Sequence, residues 1–201
     1  MGLNQKMMMT KQETGAQARI LDAARRLFGD RGFHQTSMAE LANGAQVSVG
    51  LIYRLFKGKE DIIEAIVASD VDENIARTTL LRERLDAGEF SVEKAFEQLL
   101  LQVLEDKDEA LSFDILAEGT RNATVGKTIE DMFMRYRRFL RHFACAANPD
   151  LSGEALDGAE DVILSCIFGL GHRTLSRPNL DADATARRGA QMIVAALRAA
   201  R

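Results

Sequence analysis

The residues of this 201-residue sequence whose types suit chemistry are few and scattered. His34, His142 and His172 stand at no metal-ligand spacing. Cys145 and Cys166 make neither a CxxC pair nor a disulfide framework, and they read as small buried hydrophobes. There is no Glu-x-x-His pair, no nucleophile beside a base and no glycine-rich phosphate loop. An all-α enzyme therefore has nothing to start from, and no metal or cofactor is expected. Asp114, Glu118 and Arg121 fall at i, i+4 and i+7. They form either a carboxylate pair open to a cationic ligand or a solvated face closed by a Glu118–Arg121 pair. Arg135, Arg137, Arg138 and Arg141 can bind an anion or form a charged outer face. Their spacing mostly points away from Phe133, Tyr136 and Phe143, which favours the outer face. His172, after Gly169-Leu170-Gly171, can touch a ligand, sense pH or play an ordinary buried or capping role.

Ionic chemistry is denser at one end. Residues 1–60 carry 9 Lys/Arg against 5 Asp/Glu, a balance of +4, and residues 61–201 carry 17 against 25, a balance of −8. A basic head on an acidic body points the head at a polyanion, although the formal net charge is −4.

The elements that must position this head are helical. With 46% apolar and 28% charged residues, whole-chain disorder is excluded, and 2 prolines leave long helices open almost everywhere. No apolar run is long enough to span a bilayer, and the first residues lack the apolar core of a signal peptide, so a cytoplasmic protein without a membrane partner is expected. No stretch alternates with a period of two, so the fold class is all-α, with about nine helices. The first runs over about Gly15–Asp30, with Thr14 and Gln17 as a capping box and Ile20, Ala23, Ala24, Leu27 and Phe28 as its stripe. Gly32 suits the left-handed position past its end, with Phe33 folding back. Ser37 and Glu40 make a second capping box. After a tight break at Gln46-Val47, Ser48 caps a third, short helix through Leu51, Ile52, Leu55 and Phe56. Two short helices joined by about three residues are the pattern of a helix-turn-helix. Six further helices follow, over about 59–85, 92–105, 109–121, 125–146, 154–175 and 181 to the end. Three parts result: a flexible tail (1–13), a three-helix head (14–60) and a larger helical bundle (61–201).

The stretch Ala16–Glu60 resembles the DNA-binding domain of the TetR family of transcriptional regulators. Ile20, Ala23, Ala24, Leu27, Phe28, Gly32, Phe33, Thr36, Ser37, Met38, Leu41, Ala42, Ala45, Val47, Ser48, Gly50, Ile52, Tyr53, Phe56 and Lys59 carry the likeness. The helix-turn-helix geometry assigns Ser48, Val49, Gly50, Leu51, Tyr53 and Arg54 to the DNA side, with Gly50 allowing close approach. The resemblance implies that Tyr53 and Lys59 hold phosphates, and that Thr36 and Ser37 offer hydroxyls and N–H groups to another. Arg54 can reach a phosphate or a guanine edge. Three positions depart from the family pattern: Gln46, where glycine is usual, and the apolar Val49 and Leu51.

The resemblance also gives the bundle two roles. Its last two helices pair with a second copy, and its middle helices enclose a small-molecule effector. Ile163, Ile167, Leu170, Ile193, Val194 and Leu197 form the candidate dimer seam, beside an alanine-rich ninth helix. Phe96, Leu100, Phe113, Leu116, Met132, Phe133, Tyr136 and Cys166 are the candidate effector contacts, or else ordinary core. The expected protein is a homodimeric regulator, most simply a repressor on an inverted-repeat operator in double-stranded DNA, released by an unidentified effector. The alternative is a helical ligand-binding or interaction protein whose head no longer reads DNA.

Overall fold

The computed structural model describes residues 3–105, 109–173, 176 and 179–200. Among the described residues there are nine helices and no strand: α1 (Leu3–Arg31), α2 (Met38–Gly44), α3 (Val49–Leu55), α4 (Lys59–Asp86), α5 (Val92–Glu105), α6 (Glu109–Gly119), α7 (Ala123–Ala147), α8 (Gly153–Gly171) and α9 (Ala182–Ala199). None of these helices is long and apolar enough to cross a membrane. Two expectations are corrected. The first helix begins at Leu3, so Thr14 lies inside it rather than capping it, and the expected tail is helical. Residues 3–13 contain no proline or glycine and are mostly Leu, Gln, Lys, Met and Glu, so nothing stops the helix propagating upstream. At the other end of the chain α8 closes at Gly171, with His172 as its C-cap, ahead of the expected limit. Leu175 and Pro178 lie outside the described residues.

The chain divides into two compact units whose limits fall within α4, at the first residue of α6 and within α7. Unit 1 holds Met1–Asp70 with Ala110–Ile129, and unit 2 holds Val71–Glu109 with Glu130–Arg201. In unit 1 the predicted stripe of α1 is buried: Ile20 and Ala24 are fully covered, with Ala23, Leu27 and Phe28 nearly so. Leu41 of α2, Ile52 of α3 and Ile62, Ile63 and Ile66 of α4 are buried with them. Each such side chain contributes about 1.5–3 kcal/mol of burial. The Arg25 guanidinium reaches Asp70 with both ends (2.8 and 2.5 Å), tying α1 to α4.

In unit 2, α5 packs along α9. Ala95, Phe96, Leu99 and Leu100 join Ala186, Ala190, Val194 and Leu197 in one core with Leu140, Phe143 and Ile163. The approach depends on Gly189, where a Cβ would sit 2.9 Å from Leu100 Cδ1. Asn148, just past α7, donates to the carbonyls of Leu197 (2.9 Å) and Ala200 (3.1 Å) and so closes the end of α9. Three of the four α7 arginines are paired with carboxylates. Arg135 meets Asp72, Arg137 meets Asp161, and Arg141 meets both Asp157 and the buried Glu160.

Candidate nucleic-acid interface

The site is built from caps. At the start of α2 the Ser37 hydroxyl accepts the Glu40 N–H (3.2 Å), while the Glu40 carboxylate accepts the Ser37 N–H (2.8 Å). The Ser37 N–H, and then the Ser37 hydroxyl that also donates to the carboxylate, hold the Glu40 carboxyl below its ordinary value of 4.5. The predicted capping box is present, and it also occupies the Ser37 N–H that was expected to face a phosphate. Thr36 is a correction. It is buried, and its hydroxyl donates to the carbonyls of Gly32 (3.0 Å) and Leu27 (3.3 Å). Gly32 O lies just past the end of α1 and Leu27 O in its last turn, so the hydroxyl is turned inward, away from any phosphate.

Between α2 and α3 the chain makes a Schellman turn. The Gln46 N–H donates to Asn43 O (3.0 Å) and the Val47 N–H to Ala42 O (2.9 Å). The left-handed residue of this turn is Gln46, at φ 54°. Ser48 then caps α3 by accepting the Leu51 N–H (3.2 Å). Ile52 and Phe56 anchor the helix from behind, and Leu51 is half-buried on the same side. What α3 leaves outside is Val49 (48% exposed), Gly50, Tyr53 (54% exposed) and Arg54. A Cβ at Gly50 would meet nothing within 4 Å, so the chain itself does not require glycine there.

The two cations flanking this face are both engaged. Arg54 Nη2 donates to Glu13 Oε1 of α1 (3.0 Å), and both groups are exposed. Such a pair contributes about 0–1 kcal/mol, little enough for a phosphate to displace it. Lys59 Nζ donates to the carbonyls of Phe33 (2.6 Å) and His34 (3.3 Å) and lies 4.5 Å over the Phe33 ring. An ammonium has three donors, so one remains for a phosphate. The predicted left-handed Gly32 is present at φ 85°, and Phe33 packs edge-on against Phe28 at 5.3 Å.

Sequence reasoning missed the residues that brace this face. Arg19 Nε donates to Ala45 O (3.2 Å) and fixes the end of α2 to α1. A shallow depression of about 200 Å³ opens beside it, between Arg19, Arg26 and Gln46. Asp114 of α6 accepts the Phe33 N–H (3.0 Å), and Glu118 Oε2 lies 3.3 Å from His34 Nε2. These two carboxylates form neither the expected solvated face nor a Glu118–Arg121 pair, since Glu118 is buried and Arg121 exposed. Long-range contacts of this kind leave no local spacing to find.

The candidate effector contacts are split between the units. Phe113 and Leu116 belong to unit 1, and the other six belong to unit 2. Within unit 2, Phe96 and Leu100 are fully buried and Phe96 stacks edge-on with Phe143 (6.0 Å). Met132, Phe133, Tyr136 and Cys166 are half-buried. Phe133 lies 6.5 Å from Phe168, which stacks on His172 (4.4 Å), and the Tyr136 hydroxyl accepts a hydrogen bond from Asn74 (3.2 Å). Arg82 Nε is buried without a hydrogen-bond partner. Of the candidate seam, Ile163, Val194 and Leu197 are buried in the chain's own core, and Ile167, Leu170 and Ile193 pack against it. The apolar residues that α8 and α9 leave outside are instead Val162 (62% exposed), Phe168 and Met192 (73% exposed), beside Ala195, Ala196 and Ala199.

Residues 20–66 match the family model described as bacterial regulatory proteins, tetR family. The HTH-type transcriptional regulator UidR of Escherichia coli K12 is 34% identical over 137 residues, covering 66% of this chain and 68% of the relative. Among solved structures, Salmonella enterica GusR superposes with a TM-score of 0.63 at 23% identity, over 92% of both chains. FadR of Bacillus subtilis, in complex with stearoyl-CoA, gives 0.70 at 18% identity over 88% of this chain and 97% of its own.

Proposed function

The chain belongs to the tetR family of bacterial regulatory proteins and is a DNA-binding transcriptional regulator, and from that premise we propose that it acts as a homodimeric repressor relieved by a small-molecule effector. The observation that carries the DNA half of this reading is the two-sidedness of α3. Ile52 and Phe56 seat the helix, and Ser48 closes its N-terminus. Val49, Gly50, Tyr53 and Arg54 then face outward with no structural task apart from the weak Arg54–Glu13 pair. A helix so presented enters a major groove, where Tyr53 and the spare donor of Lys59 hold phosphates and Arg54 reads or positions.

One such helix reads too few base pairs to be selective, so two copies on an inverted repeat are needed. The outward faces of α8 and α9 suit that pairing, with Val162 exposed on α8 and Met192 exposed on α9. The effector belongs in unit 2, against the half-buried Met132, Phe133, Tyr136 and Cys166. That a structural neighbour, FadR of Bacillus subtilis, is in complex with stearoyl-CoA is consistent with a small-molecule ligand. Effector and DNA then weaken each other's binding by the same factor, as linkage requires.

Selection of genomic fragments by the purified protein, read by sequencing, tests this reading. Enrichment of one palindromic site is the expected result, and its neighbouring genes point to the effector. A folded dimer that enriches nothing at low salt would overturn the reading and favour the interaction-protein alternative.

A further inference from the structure

We propose that Asp114 and Glu118 of α6 are positioning residues for DNA binding: they hold the α1–α2 turn, and through it Lys59 and the seat of α3, without touching DNA. The two carboxylates are one helical turn apart and reach consecutive residues of one short turn. Asp114 Oδ2 accepts the Phe33 N–H at 3.0 Å. Glu118, 6% exposed, has its Oε2 buried and unmatched by any aligned hydrogen bond, with His34 Nε2 at 3.3 Å as its polar neighbour. On the far side of the same turn, the carbonyls of Phe33 and His34 both accept from Lys59 Nζ. Phe33 is thus gripped at its N–H from α6 and at its C=O from the start of α4. Lys59 lies three residues beyond Phe56, the C-cap of α3. A shift of the turn is therefore delivered at once to the point where α3 is anchored. α6 is grouped with the head in unit 1, which agrees with this role.

The corner that carries α6 into α7 is itself tightly fitted. A Cβ on Gly126 would sit 2.8 Å from the Gly119 carbonyl oxygen, so the backbones of the two helices cross in contact. Residues 119–126 therefore fix where Asp114 and Glu118 stand relative to the opening of α7.

The inference rests on the DNA-reading role of the head, and its test keeps the two apart. Asp114→Ala and Asp114→Asn are compared in the full-length protein. Binding is read with a mixed-sequence duplex at low salt, and amide hydrogen exchange is followed at Phe33 and, as a core reference, at Ile63, in the absence of DNA. Asn keeps an acceptor oxygen and Ala does not, while both remove the same negative charge. Charge removal alone would tighten binding to a polyanion in both variants. The expected result is a roughly tenfold weaker affinity and a roughly tenfold faster Phe33 exchange in Asp114→Ala, from loss of the hydrogen bond to Phe33, with Ile63 unchanged and Asp114→Asn binding as tightly as the parent or slightly more tightly. Equal affinities for Ala and Asn, or an unchanged Phe33 exchange rate, overturn it. For Glu118, the His34→Ala, Glu118→Ala and double variants form a cycle read in the same exchange signal. A double variant no worse than either single supports a shared grip, and additive losses remove Glu118 from it. If no variant or parent binds the duplex, while Phe33 exchange still responds, the DNA-reading role fails and the grip stands as architecture alone.

Discussion

Gln46→Gly should stabilise this protein, and the size of the gain can be worked from its backbone. Gln46 sits at φ 54° as the left-handed residue of the turn between α2 and α3. An L-residue with a Cβ loses about 1–2 kcal/mol in that conformation, and glycine does not. Against this, glycine brings about 0.5–1 kcal/mol of extra backbone entropy to the unfolded chain. Gln46 is exposed, so its side chain forfeits little burial. The net is about 0.5–1 kcal/mol in favour of glycine, or roughly 1–4 °C in Tm for a chain of this length. Gly88 supplies an internal reference. It closes α4 with the same pair of hydrogen bonds, Gly88 N–H to Leu85 O and Glu89 N–H to Arg84 O, at φ 72°. Gly88→Ala should therefore move stability the other way by about 1 kcal/mol. Thermal and urea denaturation followed by far-UV circular dichroism measure both. A Gln46→Gly variant no more stable than the parent, alongside a destabilised Gly88→Ala, would refute the backbone accounting for the turn.

Three further outcomes follow from particular contacts. Glu13→Gln frees Arg54 from an exposed ion pair of about 0.2–1 kcal/mol, so DNA affinity should rise up to about fivefold, as measured by fluorescence anisotropy; a fall would mean the pair orients Arg54 rather than restrains it. Met192→Asp places a charge on the most exposed large apolar residue of α9, and sedimentation should show a shift from dimer to monomer, whereas an intact dimer moves the interface elsewhere. Glu40 and Glu93 both have carboxyls held below 4.5, Glu40 chiefly by the Ser37 N–H and Glu93 chiefly by a backbone N–H at the start of α5. A lowered folded-state value contributes stability above the unfolded value and loses it as pH falls through the folded one, so the loss sets in below pH 4.5 and should be smaller in Glu40→Gln than in the parent.

Caps and stripes were legible because they are local. Ser37 with Glu40, Ser48 before Leu51, and Gly32 before Phe33 each state their geometry within four residues. Gln46 was recognisable as the turn residue from its neighbours, though its own type argues against the conformation it adopts. Thr36 and Ser37 read alike in the sequence, yet one hydroxyl turns in and the other caps α2. The difference lies in the Leu27 and Gly32 carbonyls at the end of α1, which the folded turn brings alongside the Thr36 hydroxyl. The alanines of α9 told of close packing but not of its partner. The helix has two small faces: Ala186, Gly189 and Ala190 admit α5, while Ala195, Ala196 and Ala199 stay outside. The six seam candidates lie on or beside the inward face, because bulky apolar residues mark a core before they mark an interface.

The division of α3 into an anchored back and an unburdened front has a consequence for how such a reader diversifies. Stability rests on Ser48, Ile52 and Phe56, and on the proposed reading base contact falls to Val49, Gly50 and Arg54, with Tyr53 on a phosphate. Substitutions on the front can therefore be sampled freely without threatening the fold, and open space beyond Gly50 accepts a larger side chain. If α3 reads DNA as proposed, operator preference is a nearly independent variable: the reading face can be rewritten by drift or by design while the scaffold that presents it is left untouched.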